Sequence, residues 1–258
     1  IAQAEAAGIL KEDSIIVEPT SGNQGIGLAL VGAVKGYETV IIMPESVSQE
    51  RRFLVAHYGA KVILVHDAGN IGDCINECVK TANRMAAENP KVFVPQQFEN
   101  EANPTAHRRQ TALEILEQVA GPIDGFCSGI GTGGTITGIG EALKEANPNI
   151  TIWAVEPENA AILAGGNVGT HIQMGIGDGV VPKVLNQHIY EDITIISDEE
   201  ALNTSKDLAR LEGLMCGISS GTNVAAALKL AKKLGAGKTV VTLLPDTAER
   251  YFSTPLFG

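Results

Sequence analysis

Three Gly-flanked polar turns contain the residue types best suited to holding small anions. The first, Gly129-Ile130-Gly131-Thr132-Gly133-Gly134-Thr135, puts four glycines and two threonines into seven residues, between an apolar run and a helical pattern. Glycines let successive backbone N–H groups converge without Cβ obstruction, and a helix start adds partial positive charge, so a phosphate suits this turn. A tight strand-to-helix turn is the plainer reading of any one G-x-G. The density of Gly and Thr favours the phosphate. No Gly-Lys-Ser/Thr follows, so this is not a P-loop. A dinucleotide fingerprint is also unsupported, because no strand-end acidic residue stands at the required distance. The second turn, Glu18-Pro19-Thr20-Ser21-Gly22-Asn23-Gln24-Gly25, offers hydroxyls, amides and helix-start N–H groups to a carboxylate, and Thr20 or Ser21 could equally be a helix N-cap. Gly217-Ile218-Ser219-Ser220-Gly221 is the third, with serine capping its default reading.

Other reactive side chains point to less. Cys74 and Cys78 share a helical face, but no second Cys/His pair matches their spacing, so they read as plain thiols rather than half a metal site. Cys127 and Cys216 read as small core residues. None of the five histidines sits in a hydrolase-type motif, and His107 with Arg108 and Arg109 reads as decoration of a helix face.

The elements that must position these turns alternate. Short apolar runs at 14–17, 39–43, 61–65 and 92–94 are separated by helical patterns at 25–35, around Arg51, Arg52 and Leu54, and at 74–88. After Pro95-Gln96-Gln97-Phe98 the alternation restarts. Helices are expected at 105–119, up to Ala146, at 198–212 and at 221–234. Strands are expected at 125–129, 151–155, 192–196 and 239–244, with a loop-rich stretch at 156–184. Such alternation predicts an α/β fold with parallel-rich sheets flanked by helices, in two domains of unequal size with a cleft between them. Residues 1–8 read as the end of a helix stopped at Gly8, so an upstream segment is expected.

Composition narrows the partners. With 258 residues, 44% of them hydrophobic and 19% charged, the chain can bury a sizeable core. Its net charge of -11 repels phosphate backbones and anionic lipid, so neither nucleic acid nor membrane is an expected partner. No apolar run reaches membrane-spanning length and no secretory leader is visible. Four cysteines in so long a chain suit a reducing cytoplasm.

Taken in order, Thr20-Ser21-Gly22-Asn23, Met43-Pro44-Glu45, Glu50-Arg51-Arg52, Gln96-Gln97-Phe98, Asn103-Pro104, Gly131-Thr132-Gly133-Gly134-Thr135, Gly217-Ile218-Ser219-Ser220-Gly221 and Glu249-Arg250-Tyr251 resemble the cysteine synthase (O-acetylserine sulfhydrylase) family. These are fold-type II, tryptophan synthase β-like pyridoxal-phosphate enzymes, and the likeness covers essentially the whole chain. It implies a smaller, mobile substrate-binding domain at 1–97 and a larger cofactor-binding domain at 98–258. The cofactor implied is pyridoxal 5′-phosphate (PLP). Its phosphate would lie on Gly131, Thr132, Gly133, Gly134 and Thr135, its ring oxygen O3′ on Asn23, and its ring nitrogen on Ser219. Thr20, Ser21, Asn23 and Gln97 would bind the substrate α-carboxylate. The family eliminates the β-substituent of O-acetyl-L-serine to an α-aminoacrylate, and sulfide adds to give L-cysteine. A homodimer is implied, as is binding of the C-terminal tail of serine acetyltransferase.

Three departures from the family pattern stand out. The Schiff-base lysine, carried in the family by a Ser-x-Lys motif upstream of the helix at residues 1–8, has no counterpart among the twelve lysines, and activity would require one. Gln24 replaces the usual Thr. Asp178 replaces a small Ala in Gly175-Ile176-Gly177-Asp178-Gly179, where it would be either a general base for water or a solvated turn residue. Water addition would release hydrogen sulfide from L-cysteine and leave L-serine. A catalytically inactive PLP- or partner-binding paralogue is the alternative of a different class, decided by the lysine. A serine/threonine dehydratase or cystathionine β-synthase fits the motif combination less well.

Overall fold

The computed structural model describes residues 1–66 and 71–258. They form two compact units, one of residues 1–96 together with 250–258 and the other of residues 97–249. The sequence reading divides the chain at 97/98 and leaves 250–258 with the second part.

In the first unit, β1 (Ile15–Pro19), β2 (Glu38–Pro44), β3 (Lys61–Val65) and β4 (Val92–Phe93) form a parallel sheet in the order β3-β2-β1-β4. Alternation along the strands serves two separate cores. Ile16, Ile41 and Met43 pack with Ile26, Leu28 and Ala29 of α2 (Asn23–Lys35) and with Val55 of α3 (Gln49–His57). Val17, Val40 and Ile42 pack on the other face with Cys74, Cys78 and Ala82 of α4 (Ile71–Glu88). A sheet covered on both faces needs apolar residues at consecutive positions, which is why these strands read as unbroken apolar runs. A short helix α1 (Ala2–Ala6) is tied on through Glu5, which accepts from Lys35 Nζ at 2.9 Å and Tyr37 Oη at 2.8 Å.

All four cysteines are buried as free thiols. Desolvation, with Cys74 beside it, pushes the Cys78 thiol up to about 12, and burial pushes Cys127 to about 11. At pH 8 a thiol of pKa 12 is thiolate in only ~1 part in 10⁴. Native protein is therefore expected to give no reaction with an aromatic disulfide reagent at pH 8, whereas the denatured chain titrates four thiols. Rapid labelling of one thiol in native protein would contradict this.

In the second unit, β5 (Gly125–Gly129), β6 (Thr151–Pro157), β7 (Asp192–Ile196) and β8 (Val240–Val241) form a parallel sheet in the order β7-β6-β5-β8. Its helices are α5 (Ala102–Ala106), α6 (Ala112–Gln118), α7 (Gly134–Ala146), α8 (Asp198–Glu212) and α9 (Ile218–Leu234). Phe126, Ile152 and Ala154 of the sheet share one core with Ile136, Ile139 and Leu143 of α7. Ser197 caps α8 by accepting from Glu200 N at 3.2 Å, and Asp198, Glu199 and Glu200 in its first turn complement the helix dipole.

Several boundaries differ from the sequence reading. The helix expected at 105–119 is interrupted by a π-helical turn at His107–Thr111 between α5 and α6. The strand expected at 239–244 pairs only at Val240–Val241; beyond it Thr242 Oγ1, rather than the backbone, donates to Cys127 O at 2.7 Å. The loop-rich 156–184 stretch is organised around a buried carboxylate. Glu156 accepts from Leu163 N at 3.0 Å and Ala164 N at 3.1 Å, and burial raises its pKa. Among the described residues, no helix is long and apolar enough to cross a membrane.

Candidate active site

In the second unit, β5 ends at Gly129 and α7 begins at Gly134, so Gly131, Thr132 and Gly133 form the turn that opens the helix. Gly133 is the N-cap at φ 76°, a left-handed conformation that favours glycine, and no side chain caps the helix. A Cβ on Gly131 would collide with the Gly175 carbonyl oxygen, so the turn and the 175–179 loop pack backbone to backbone. Gly177 N donates to Ile130 O at 2.8 Å across the same junction. Asp178, nearly buried, brings Oδ2 to 3.6 Å from where that Cβ would stand. The loop aspartate therefore lies against the glycine turn and is not a solvated turn residue.

Asn103 joins Gln97 to this cradle. Its Nδ2 donates to Gln97 O and to Thr132 Oγ1, both at 2.9 Å. Thr135 Oγ1 lies 3.3 Å from His107 Nε2, and His107 Nδ1 lies 3.1 Å from Thr111 Oγ1. His107 thus sits behind the cradle rather than decorating a helix face, because the π-helical turn directs it inward.

Burial lowers the His107 pKa from the ordinary 6.5. A depressed histidine contributes stability that is fully present above the unfolded-state pKa and declines as pH falls below it, because the unfolded chain takes up the proton first. The gap in denaturation midpoint between the parent protein and His107→Gln is therefore expected to change as pH falls from 7.5 to 5.5. A pH-independent gap would contradict a neutral buried imidazole.

Ser219 does not cap α9. The N-cap is Gly217, and Ser219 and Ser220 are buried in the first turn. Four residues on, and so on the same helical face, Asn223 accepts from Gly129 N through Oδ1 at 2.7 Å and donates from Nδ2 to Leu243 O at 2.8 Å. Ser219 therefore lies one helical turn before the bond that fixes the β5 end of the cradle.

The first unit carries the other turn. Thr20, buried at the end of β1, accepts from Gly22 N through Oγ1 at 3.1 Å; Gly22 is the N-cap of α2, and Asn23 is its first helical residue. Neither Thr20 nor Ser21 caps the helix. Gln24 is exposed, so solvent accommodates its extra length. Arg250 Nη1 donates to Asn23 Oδ1 at 2.6 Å. Glu18, fully buried in β1, accepts from Gln96 N at 3.0 Å and helps hold Gln96 at φ 60°. Lysines near these elements have other partners: Lys35 pairs with Glu5, Lys144 with Glu191 and Lys183 with Glu99.

A family model described as "Pyridoxal-phosphate dependent enzyme" matches residues 1–246. The chain belongs to that family. Cysteine synthase of Staphylococcus aureus is 47% identical over 259 aligned positions, spanning all of this chain and 82% of that protein. An O-ureido-L-serine synthase structure, a lysine-to-alanine variant with O-ureido-L-serine bound, superposes with TM-score 0.92 at 43% identity, covering 99% of this chain and 78% of that one. A hydrogen sulfide-producing enzyme from Fusobacterium nucleatum superposes with TM-score 0.93 at 37% identity, covering 100% and 77%. The fold is therefore that of fold-type II pyridoxal-phosphate enzymes, and the chain is an enzyme of the cysteine synthase type that uses PLP. The second unit fits that group, because the α7 N-terminus opens from a glycine-rich turn, with Thr132 Oγ1 3.4 Å from Gly134 N, and offers N–H groups and a hydroxyl to an anion.

Proposed function

We propose that the chain catalyses β-replacement on O-acetyl-L-serine, or on L-cysteine, with sulfide as the incoming or departing group. The glycine cradle at the start of α7, within a chain 47% identical to a cysteine synthase, carries this reading. When bound, PLP supplies an electron sink for chemistry at the substrate α-carbon. Gly131, Thr132, Gly133, Gly134 and Thr135 hold its phosphate through backbone N–H groups and hydroxyls. Ser219, buried in the first turn of α9, would be a neutral partner for the ring nitrogen and would favour β-elimination over deeper carbanion chemistry. Asn23 donates to O3′, and Thr20, Ser21, Asn23 and Gln97 hold the substrate α-carboxylate. The proton at the α-carbon requires a lysine, in the family's pattern one upstream of residue 1. A homodimer, a serine acetyltransferase tail as partner and a cytoplasmic location belong to the same proposal.

The test is spectroscopic. Full-length protein titrated with PLP should develop a visible band that shifts on adding L-cysteine or O-acetyl-L-serine. A band that ignores both substrates, or no band at all, would defeat the reading.

A second reading is favoured by Asp178, whose carboxylate lies against Gly131 where the family pattern has alanine, and by the likeness to hydrogen sulfide-producing enzymes. One of those, solved as an Asp-to-Asn variant, is in complex with an α-aminoacrylate intermediate. Asp178 would accept a proton from water as the water oxygen adds at the substrate β-carbon. The balance is L-cysteine plus water giving L-serine plus hydrogen sulfide. Asp178→Ala should lower hydrogen sulfide release from L-cysteine by about a hundredfold or more, the low end for losing a general base, and leave L-cysteine synthesis from O-acetyl-L-serine and sulfide intact. An unchanged hydrogen sulfide rate would remove Asp178 from water activation.

A further inference from the structure

We infer that Arg250 is a positioning residue that sets which end of the Asn23 side-chain amide faces the ligand. This role rests on the one proposed for Asn23. A guanidinium has donors only, so its 2.6 Å bond identifies the partner atom as the amide oxygen and turns the NH₂ end of Asn23 away from Arg250. Both functions proposed for Asn23 need that donor end, because O3′ and a carboxylate are acceptors. The flipped amide would present a lone pair to either. The bond is charge-assisted, which holds the orientation and polarises the amide toward donation.

Arg250 is itself held on the first unit by residues around the N-terminal half of α3. Its carbonyl oxygen accepts from Ser48 Oγ at 2.8 Å. The next residue, Tyr251, is fully buried, with Oη 2.5 Å from Arg51 Nη2 and its ring 4.8 Å from the Arg51 guanidinium carbon. Ser253 N and Oγ donate to the Glu50 carboxylate at 3.0 and 2.8 Å. A segment more than two hundred residues distant in sequence is thus strapped so that one side chain reaches one amide. The Glu249-Arg250-Tyr251 motif acquires a function: Tyr251 anchors and Arg250 orients.

The experiment is a double-mutant cycle on the full-length protein, using Asn23→Ala, Arg250→Ala and the pair. The readouts are PLP dissociation constant after stripping and back-titration, and thermal midpoint of the cofactor-free form. Arg250→Ala is expected to weaken PLP binding about tenfold in the parent and to add nothing once Asn23 is alanine. Arg250→Lys, which keeps the charge but loses the fork, should fall between, and it replaces Arg250→Ala in the cycle if the alanine variant does not fold. Equal losses in both backgrounds, or an unchanged constant in the parent background, would overturn the positioning role while leaving Asn23 in place. If Asn23→Ala itself leaves PLP affinity unchanged, the site reading fails, and the role of Arg250 with it.

Discussion

Gly131→Ala should weaken PLP binding about a hundredfold and lower the thermal midpoint of the cofactor-free protein by several degrees. The added methyl has nowhere to go. Its neighbour is the Gly175 carbonyl oxygen, part of a backbone that cannot rotate aside as a flexible side chain would. Relief requires the 131–135 turn and the 175–179 loop to separate, stretching the 2.8 Å bond from Gly177 N to Ile130 O. Overpacking of this kind typically costs about 1–3 kcal/mol, the upper end being near a hundredfold in an equilibrium constant. The N–H groups that would contact phosphate move with the turn, so binding is lost as well as stability. Because Asp178 lies on the displaced loop, hydrogen sulfide release should fall further than affinity does. Isothermal titration with PLP and a thermal melt separate the two effects; unchanged affinity would show that 131–135 is not the phosphate site.

Asn223→Ala is expected to be the most destabilising single change at the site, by about 3 kcal/mol, since it leaves two backbone groups without their buried partner. Gly129 N and Leu243 O both depend on that one amide, at 2.7 and 2.8 Å. In a chain of this size the corresponding fall in midpoint is roughly 8 °C. Asn223→Asp separates the two bonds, since a carboxylate still accepts from Gly129 N but cannot donate to Leu243 O. It should destabilise at least as much as alanine, because two acceptors then face each other in a buried setting. Differential scanning calorimetry of both variants decides the matter. A fall under about 1 kcal/mol for either would mean that water replaces the amide.

The two alternating blocks, and hence parallel sheets, were legible because strands buried on both faces read as near-continuous apolar runs. Ile16-Val17 and Val40-Ile41-Ile42-Met43 show this directly, each neighbour serving the opposite core. The glycine cradle was legible in part: Gly133 is demanded by its own left-handed φ of 76°, whereas Gly131 is demanded by the Gly175 carbonyl oxygen of a distant loop, which adjacent residues do not reveal. Helix starts were less so. Gly22 and Gly217 cap α2 and α9 without side-chain help, so the serine and threonine signals nearby pointed to the wrong cap.

Chain chemistry by itself marked which turns suit an anion, because glycines ahead of a helix start are written in adjacent residues. Tertiary structure alone decided what supports those turns. Asn103, His107, Asn223 and Arg250 are ordinary polar residues whose partners stand 29, 28, 94 and 227 positions away. A hydrogen bond is specified by two groups meeting at about 3 Å, and only folding of the sheets and helices brings such distant pairs to that range.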